Sequence, residues 1–75
     1  MTMKEFFALH QACDKSLERL HKESQQTLAC LLLAAQAPSD ETLQAGLRTQ
    51  RDEEDRARLD YQQRRRELFA LLNEQ

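Results

Sequence analysis

The chain has 75 residues, with 11 Lys or Arg and 13 Asp or Glu, and a formal net charge of −2 at pH 7. This length allows one small domain with a marginal core, so residues 1–75 are expected to form a single domain. The slight negative charge argues against a nucleic-acid binder, which normally carries a basic surplus. With one glycine, one proline and few β-branched residues, the composition favours an all-α fold.

The first predicted element is a helix over residues 3–37. Thr2 and Glu5 fit a capping box, in which each side chain accepts a hydrogen bond from the other residue's backbone N–H. No helix breaker follows before Pro38, the only proline. Because the residue before a proline avoids helical geometry, this helix should end at Ala37.

Residues 38–39 are the predicted turn, and residues 40–73 the second helix. Ser39 is a good N-cap residue, and Asp40 and Glu41 suit the positive end of the helix dipole. Gly46 lies inside this helix, where it costs about 1 kcal/mol relative to alanine.

Both helices carry side chains at alternating spacings of three and four, the pattern of a packed helical seam. The predicted stripe of the first helix is Met3, Phe6, His10, Cys13, Leu17, Leu20, Ser24, Thr27, Leu31 and Ala34. That of the second helix is Leu43, Leu47, Gln50, Glu54, Ala57, Tyr61, Arg64, Leu68, Leu71 and Gln75. If the chain folds back at Pro38, the numbers of facing residues sum to about 77 along the whole length. The sequence therefore predicts an antiparallel, coiled-coil-like two-helix hairpin about 50 Å long.

The same register aligns polar residues inside the predicted seam. Ser24 falls opposite Glu54, and Thr27 falls opposite Gln50. Such layers either fix the register through buried hydrogen bonds or line a half-solvated seam, and the sequence leaves both possibilities open. A break in the first helix would give a three-helix arrangement instead, but no breaker residue favours it.

Large apolar residues that the seam does not need lie at both ends of the predicted hairpin. Near the turn they make the first helix apolar almost all round, as in a helix that is buried on most sides. Exposed apolar patches of this kind mark interaction surfaces. The predicted partner-binding residues are Leu28, Leu31, Leu32, Leu33, Phe7, Leu9, Phe69 and Leu72. The hairpin is thus expected to be completed by self-association or by another protein.

Motifs for catalysis or cofactor binding are not found in the sequence. His10, Cys13 and Asp14 share one helix face, but they supply only half of a metal site. Cys13 and Cys30 lack an activating base, and about 25 Å of helix between them excludes a disulfide. We therefore predict a non-enzymatic protein with no metal and no cofactor, and reduced thiols favour the cytoplasm. No apolar run is long enough for a signal peptide or for membrane insertion.

The segment AQAPSDETLQAGLRTQ lies where two long helices turn, in a short chain with surplus apolar side chains. In this architecture, over about residues 17–72, the chain resembles the small helical-hairpin proteins of bacterial type III secretion. These include needle subunits and the co-chaperones that hold the needle subunit in the cytosol. The second turn proline of needle subunits is missing, because Asp40 and Glu41 follow Ser39, so the co-chaperone type is preferred.

This resemblance implies a small cytoplasmic chaperone or co-chaperone without enzymatic activity. Its apolar helix faces would bind a tetratricopeptide-like chaperone or the secreted subunit, and would keep an aggregation-prone protein soluble during protein transport. The alternative is a self-assembling homodimer, in which two hairpins form a four-helix bundle with a structural or regulatory role.

Overall fold

The computed structural model describes residues 2–74 as two helices joined by a tight turn. Helix α1 is Met3–Gln36 and helix α2 is Glu41–Asn73. The two helices pack against each other in a rod that measures 55 × 14 × 12 Å. The all-α antiparallel hairpin predicted from the sequence is confirmed. α1 ends one residue before its predicted boundary, and α2 begins one residue after its own.

Local hydrogen bonds explain where α1 begins, and proline geometry explains where it ends. The N–H of Glu5 donates to Thr2 Oγ1 at 3.1 Å, and the N–H of Thr2 donates to Glu5 Oε2 at 3.4 Å. These two bonds are the predicted capping box. Ala37 precedes Pro38 and leaves helical geometry, with φ −135° and ψ 71°, as the steric demand of the proline ring requires.

The N-cap of α2 is Asp40, and the prediction of Ser39 at this position is wrong. Asp40 Oδ1 accepts hydrogen bonds from the N–H of Thr42 at 2.9 Å and from that of Leu43 at 3.2 Å. One carboxylate thus satisfies two N–H groups that have no partner inside the helix. Its negative charge also suits the positive end of the helix dipole better than a hydroxyl does.

Small side chains occupy most of the buried positions in the seam between α1 and α2. Ala57, Ala34, Ser16 and Leu47 are 0, 2, 6 and 7% exposed. No large side chain among residues 2–74 is fully buried. Since the distance between packed helices depends on the side chains at the contact, small residues allow a close approach. They also leave the hairpin with a thin apolar core.

The seam face of α1 is rotated from the predicted stripe. Its buried or partly buried residues include Phe6, Leu9, Cys13, Ser16, Leu20, Glu23, Thr27, Cys30 and Ala34. Leu17 and Ser24 of the predicted stripe are also partly buried. Met3, His10 and Leu31 were predicted to face α2, but all three are exposed. The register of the two predicted stripes places Leu31 opposite Leu47. That pairing is wrong, because Leu31 is exposed and the partly buried Cys30 lies on the seam instead.

The predicted stripe of α2 agrees with the structure at most positions. The stripe residues that are buried or partly buried are Leu43, Leu47, Gln50, Glu54, Ala57, Tyr61, Leu68 and Leu71. Beside the stripe, Gln44, Glu53, Asp60 and Glu67 are also partly buried. Arg64, predicted on the same stripe, is exposed and lies 3.7 Å from both Asp60 and Glu67. Gln75 lies outside the described residues.

Three polar side-chain contacts cross the seam within the described chain. They are Gln50 Nε2 donating to Glu23 O at 3.1 Å and Oε2 at 2.9 Å, Gln44 Nε2 donating to Ala34 O at 3.1 Å, and Ser16 Oγ donating to Asp60 Oδ2 at 3.0 Å. No buried side-chain polar atom of residues 2–74 lacks a partner. The polar part of the seam therefore carries no unpaired group, which would cost about 1–3 kcal/mol.

These contacts replace the two polar layers predicted from the register. Thr27 Oγ1 donates to the carbonyl oxygen of Glu23 at 2.9 Å, the same atom that accepts from Gln50. Glu54 pairs with Arg58 at 3.2 Å on its own helix. Within residues 2–74, neither Ser24 with Glu54 nor Thr27 with Gln50 forms a side-chain hydrogen bond.

Candidate functional site

The turn end of α1 exposes four consecutive or nearly consecutive leucines. The four, called the turn-end leucines below, are Leu28 (57% exposed), Leu31 (41%), Leu32 (57%) and Leu33 (52%). They are exposed because Thr27, Cys30 and Ala34 occupy the seam at this level, and a helix in a two-helix hairpin buries only one stripe of its surface. All four belong to the set of partner-binding residues predicted from the sequence.

The other end of the hairpin carries a second exposed apolar group. The members of this terminal cluster are Met3, Phe7, Phe69 and Leu72, each at least 40% exposed. The guanidinium carbon of Arg65 lies 5.4 Å from the centre of the Phe69 ring, a cation–π distance. Of the residues predicted here, Leu9 is partly buried on the seam. Met3 was placed on the seam by the prediction and is 71% exposed.

The terminal cluster and two of the turn-end leucines, Leu28 and Leu31, lie on one side of the hairpin, called the outer face below. A shift of one residue turns about 100° around a helix. The residue that follows each seam position therefore points to one side of the seam. Because the helices are antiparallel, these residues point to the same side of the hairpin on α1 and on α2. On α1 the outer face is Met3, Phe7, His10, Asp14, Leu17, His21, Ser24, Leu28, Leu31 and Ala35. On α2 it is Gln44, Arg48, Arg51, Asp55, Arg58, Gln62, Arg65, Phe69 and Leu72.

The residues that precede the seam positions by one residue point to the opposite side of the hairpin, called the polar face below. On α1 it carries Glu5, Lys15, Arg19, Lys22 and Gln26, and on α2 it carries Glu53, Arg56, Asp60, Gln63 and Glu67. Leu33 is the one leucine on this face, and Gly46 lies at nearly the same level on α2. The hairpin is thus two-sided, with most of its exposed large apolar side chains on or beside the outer face.

Charge is divided unequally between the two helices of the outer face. The α1 part contains no lysine or arginine, and its one carboxylate is Asp14. The α2 part contains four arginines and one carboxylate, Asp55, which accepts from Arg58 at 2.7 Å. The outer face therefore has a basic half on α2 and an apolar, weakly acidic half on α1.

Residues that could carry metal or thiol chemistry are not assembled into a site. His10 Nδ1 lies 3.3 Å from Asp14 Oδ2, and both side chains are more than half exposed. Cys13 and Cys30 are unpaired and partly buried on the seam. Among residues 2–74, no group of three His, Cys, Asp or Glu side chains is placed to hold a metal ion.

A shallow open groove of about 330 Å³ lies on α2 beside the terminal cluster. It is lined by Gln62, Arg65, Arg66 and Phe69, all from one helix. A groove walled by a single helix does not enclose a small molecule in the way that ligand pockets do. Neither described helix contains an apolar stretch of the length that a membrane crossing needs.

The hydrophobic pattern of the sequence predicted the exposed leucines, because the turn end of α1 has more leucines than one seam can cover. The position of the terminal cluster, Leu28 and Leu31 on one face was not anticipated. It depends on the rotation of α1, which placed Met3 and Leu31 outside the seam. Comparison of the chain with protein-family models, with curated proteins and with solved structures gives no match.

Proposed function

We propose that the chain is a non-enzymatic protein–protein interaction module, which binds helices of another protein through its turn-end leucines and terminal cluster. In its particular form, the proposal is a small cytoplasmic chaperone or co-chaperone of a bacterial type III secretion system. The observation that carries the interaction role is the exposure of Leu28, Leu31 and Leu32 side by side on one helix.

The free energy available at this surface is sufficient for binding. Burying one large apolar side chain contributes about 1.5–3 kcal/mol. A partner that buried the exposed halves of the four leucines would therefore gain about 3–6 kcal/mol of hydrophobic free energy. The terminal cluster adds a similar amount, against a substantial entropic cost of association. A partner that covers only one end would bind weakly, whereas one that covers both ends would bind well.

The shape of the hairpin also supports helix binding. The two helices lie side by side along a rod 55 Å long, which offers an amphipathic helix a long surface against which it can lay its apolar face. The mixed charges along the middle of the outer face would favour a partner helix that is apolar at both ends and polar at its centre. A chaperone of this kind would shield apolar helix faces of its client until assembly.

Site-specific photo-crosslinking in the native cells tests this proposal. A photoreactive phenylalanine analogue replaces Leu32 in one variant. In the matched control it replaces Arg56, an exposed residue of the polar face. We expect Leu32 to give an adduct with a different protein, and Arg56 to give little. Mass spectrometry of the adduct then identifies the protein.

Each outcome bears on a separate part of the proposal. Adducts of equal yield from both positions, or an adduct that contains only this chain, would contradict a role in binding another protein. An adduct with a protein unrelated to secretion would support the role in binding another protein and contradict the role in type III secretion. Leu28→Glu, combined with the photoreactive group at position 32, should reduce the specific adduct while the circular dichroism of the helices is retained.

A further inference from the structure

We propose that in the free protein a second copy of the chain covers the outer face, and that the two hairpins lie with their turns at the same end. The result is a four-helix bundle with a two-fold axis parallel to the helices. This inference rests on the proposed function, because the copy covers Leu28 and Leu31, two of the turn-end leucines that would bind a partner helix. Self-association would then compete with partner binding.

The surface area of the hairpin argues for an occupant of about its own size. The chain exposes 5745 Å² of solvent-accessible surface, whereas a compact monomer of this mass exposes about 4,800 Å². The excess of roughly 950 Å² is close to the ~800 Å² that each partner buries in a stable interface of standard size. A second hairpin that lies along the whole outer face would cover such an area.

The distribution of charge decides between the two symmetric ways of pairing the faces. With turns at opposite ends, α2 would lie over α2 of the copy. Residues whose numbers sum to about 116 would then meet, which places Arg58 against Arg58 and Arg51 against Arg65. With four arginines and one aspartate on this part of the face, like charges would face each other along the centre of the interface, which is unfavourable.

With turns at the same end, α2 instead lies over α1 of the copy. The arginines then face a stripe without lysine or arginine, and residues at one level have numbers that sum to about 77. Asp14 comes to the level of Gln62 and Arg65 of the copy, while His21 comes to the level of Asp55. This arrangement pairs Asp14 with Arg65 and sets no two arginine stripes against each other, so it is the one we assign.

The same arrangement brings each apolar group against its counterpart. Phe7 reaches the level of Phe69 of the copy, and Met3 reaches that of Leu72, so the two terminal clusters merge. At the turn end, Leu28 and Leu31 of both copies approach across the bundle diagonal, beside the aliphatic stem of Arg48. An interface in which the same patch is used by both subunits is what two-fold symmetry requires.

Leu33 provides a matched test of which side is covered. Leu28 and Leu33 are 57 and 52% exposed, five residues apart on the same helix, but they lie on opposite sides of the hairpin. Leu28→Glu places a charge in the proposed interface, whereas Leu33→Glu places the same charge on the polar face. We expect the first variant to weaken dimerisation at least about tenfold, and the second to leave it within about threefold.

The experiment is a spin-label distance measurement combined with sedimentation equilibrium. Cys13 and Cys30 are replaced by alanine, and a single cysteine for the label is introduced at Ser39 in the turn or at Arg19 near the middle of the polar face. In the assigned dimer both label pairs are close, at about 15–35 Å, because neighbouring helices lie 8–10 Å apart. With turns at opposite ends, the Arg19 pair stays close, but the Ser39 pair separates by nearly the 55 Å length of the rod.

The proposal is supported if the label pairs at Ser39 and at Arg19 both give short distances, and if these distances disappear in Leu28→Glu but remain in Leu33→Glu. A short distance at Arg19 with a long one at Ser39 overturns it in favour of the opposite arrangement. A monomer at high micromolar concentration, without dipolar coupling at either position, overturns self-association altogether. That last result would not contradict the proposed binding of another protein. Conversely, the protein could form the assigned dimer while the photoreactive group at position 32 crosslinks only to a second copy of the chain in cells. This outcome would refute the proposed function but support the present inference.

Discussion

Replacement of Ala57 by leucine should weaken the packing of α1 on α2. Ala57 is completely buried, and no large side chain of residues 2–74 is fully buried around it. The three additional carbon atoms of leucine have no space in a seam closed by alanine and serine, so the helices must separate locally. Overpacking of this kind costs about 1–3 kcal/mol, and the nearly equal helix propensities of alanine and leucine do not offset it.

Urea unfolding followed by circular dichroism at 222 nm measures this cost. The matched control is Ala45→Leu, the same exchange at an exposed position of α2, for which we expect a change within about 0.5 kcal/mol. In a thermal scan, each kcal/mol lost from a domain of this size lowers the midpoint by about 4–8 °C. The variants are compared at equal protein concentration, because the proposed dimerisation would make stability depend on concentration.

Equal stabilities of Ala57→Leu and Ala45→Leu would refute this reasoning. They would mean that the helices are not in close contact at Ala57, and that the seam is wider than the burial of this residue indicates. A stabilised Ala57→Leu variant would go further, since it would show an apolar gap at this level that leucine fills.

Three further predictions concern α2 and its contacts. Gly46→Ala should raise the free energy of unfolding by about 1 kcal/mol, since a β-carbon there meets nothing within 4 Å; a destabilised variant in urea would reveal a close neighbour. Asp40→Ala should lower it by about 1 kcal/mol and Ser39→Ala should leave it nearly unchanged, and the opposite order in the same assay would contradict the N-cap assignment. A double-mutant cycle of Ser16→Ala and Asp60→Ala should give a coupling of about 0.5–1 kcal/mol, whereas additive effects would exclude a working hydrogen bond.

Local chemistry was sufficient to predict the two helices and their approximate limits. Thr2 and Glu5 form the expected capping box, and Pro38 ends α1 through its effect on the preceding residue. The choice of N-cap for α2 was harder, because Ser39 and Asp40 are neighbours and both are good caps. Only the geometry of the turn, in which the N–H of Asp40 donates to Ala37 O at 3.0 Å, decides between them.

The rotation of α1 was not predicted, for a reason that lies in its periodicity. The seam residues of α1 and the predicted stripe have five residues in common: Phe6, Cys13, Leu20, Thr27 and Ala34. At the positions between them, the two sets differ by one residue. Hydrophobicity alone favours Leu31 over Cys30, yet close packing of two helices favours the smaller side chain. The cross-helix hydrogen bonds of Ser16 and Glu23 depend on residues 44 and 27 positions away, which a pattern within one helix does not reveal.

The seam of alanine and serine has a consequence for how the folded state responds to temperature. The heat-capacity increment of unfolding grows with the nonpolar area that becomes hydrated, and is typically about 12–15 cal/mol/K per residue. A hairpin that hides few large side chains should fall below this range. The free energy of unfolding then varies little with temperature, so the calorimetric endotherm is shallow and cold denaturation is weak. Binding of a partner would bury more nonpolar area and make the thermal transition sharper.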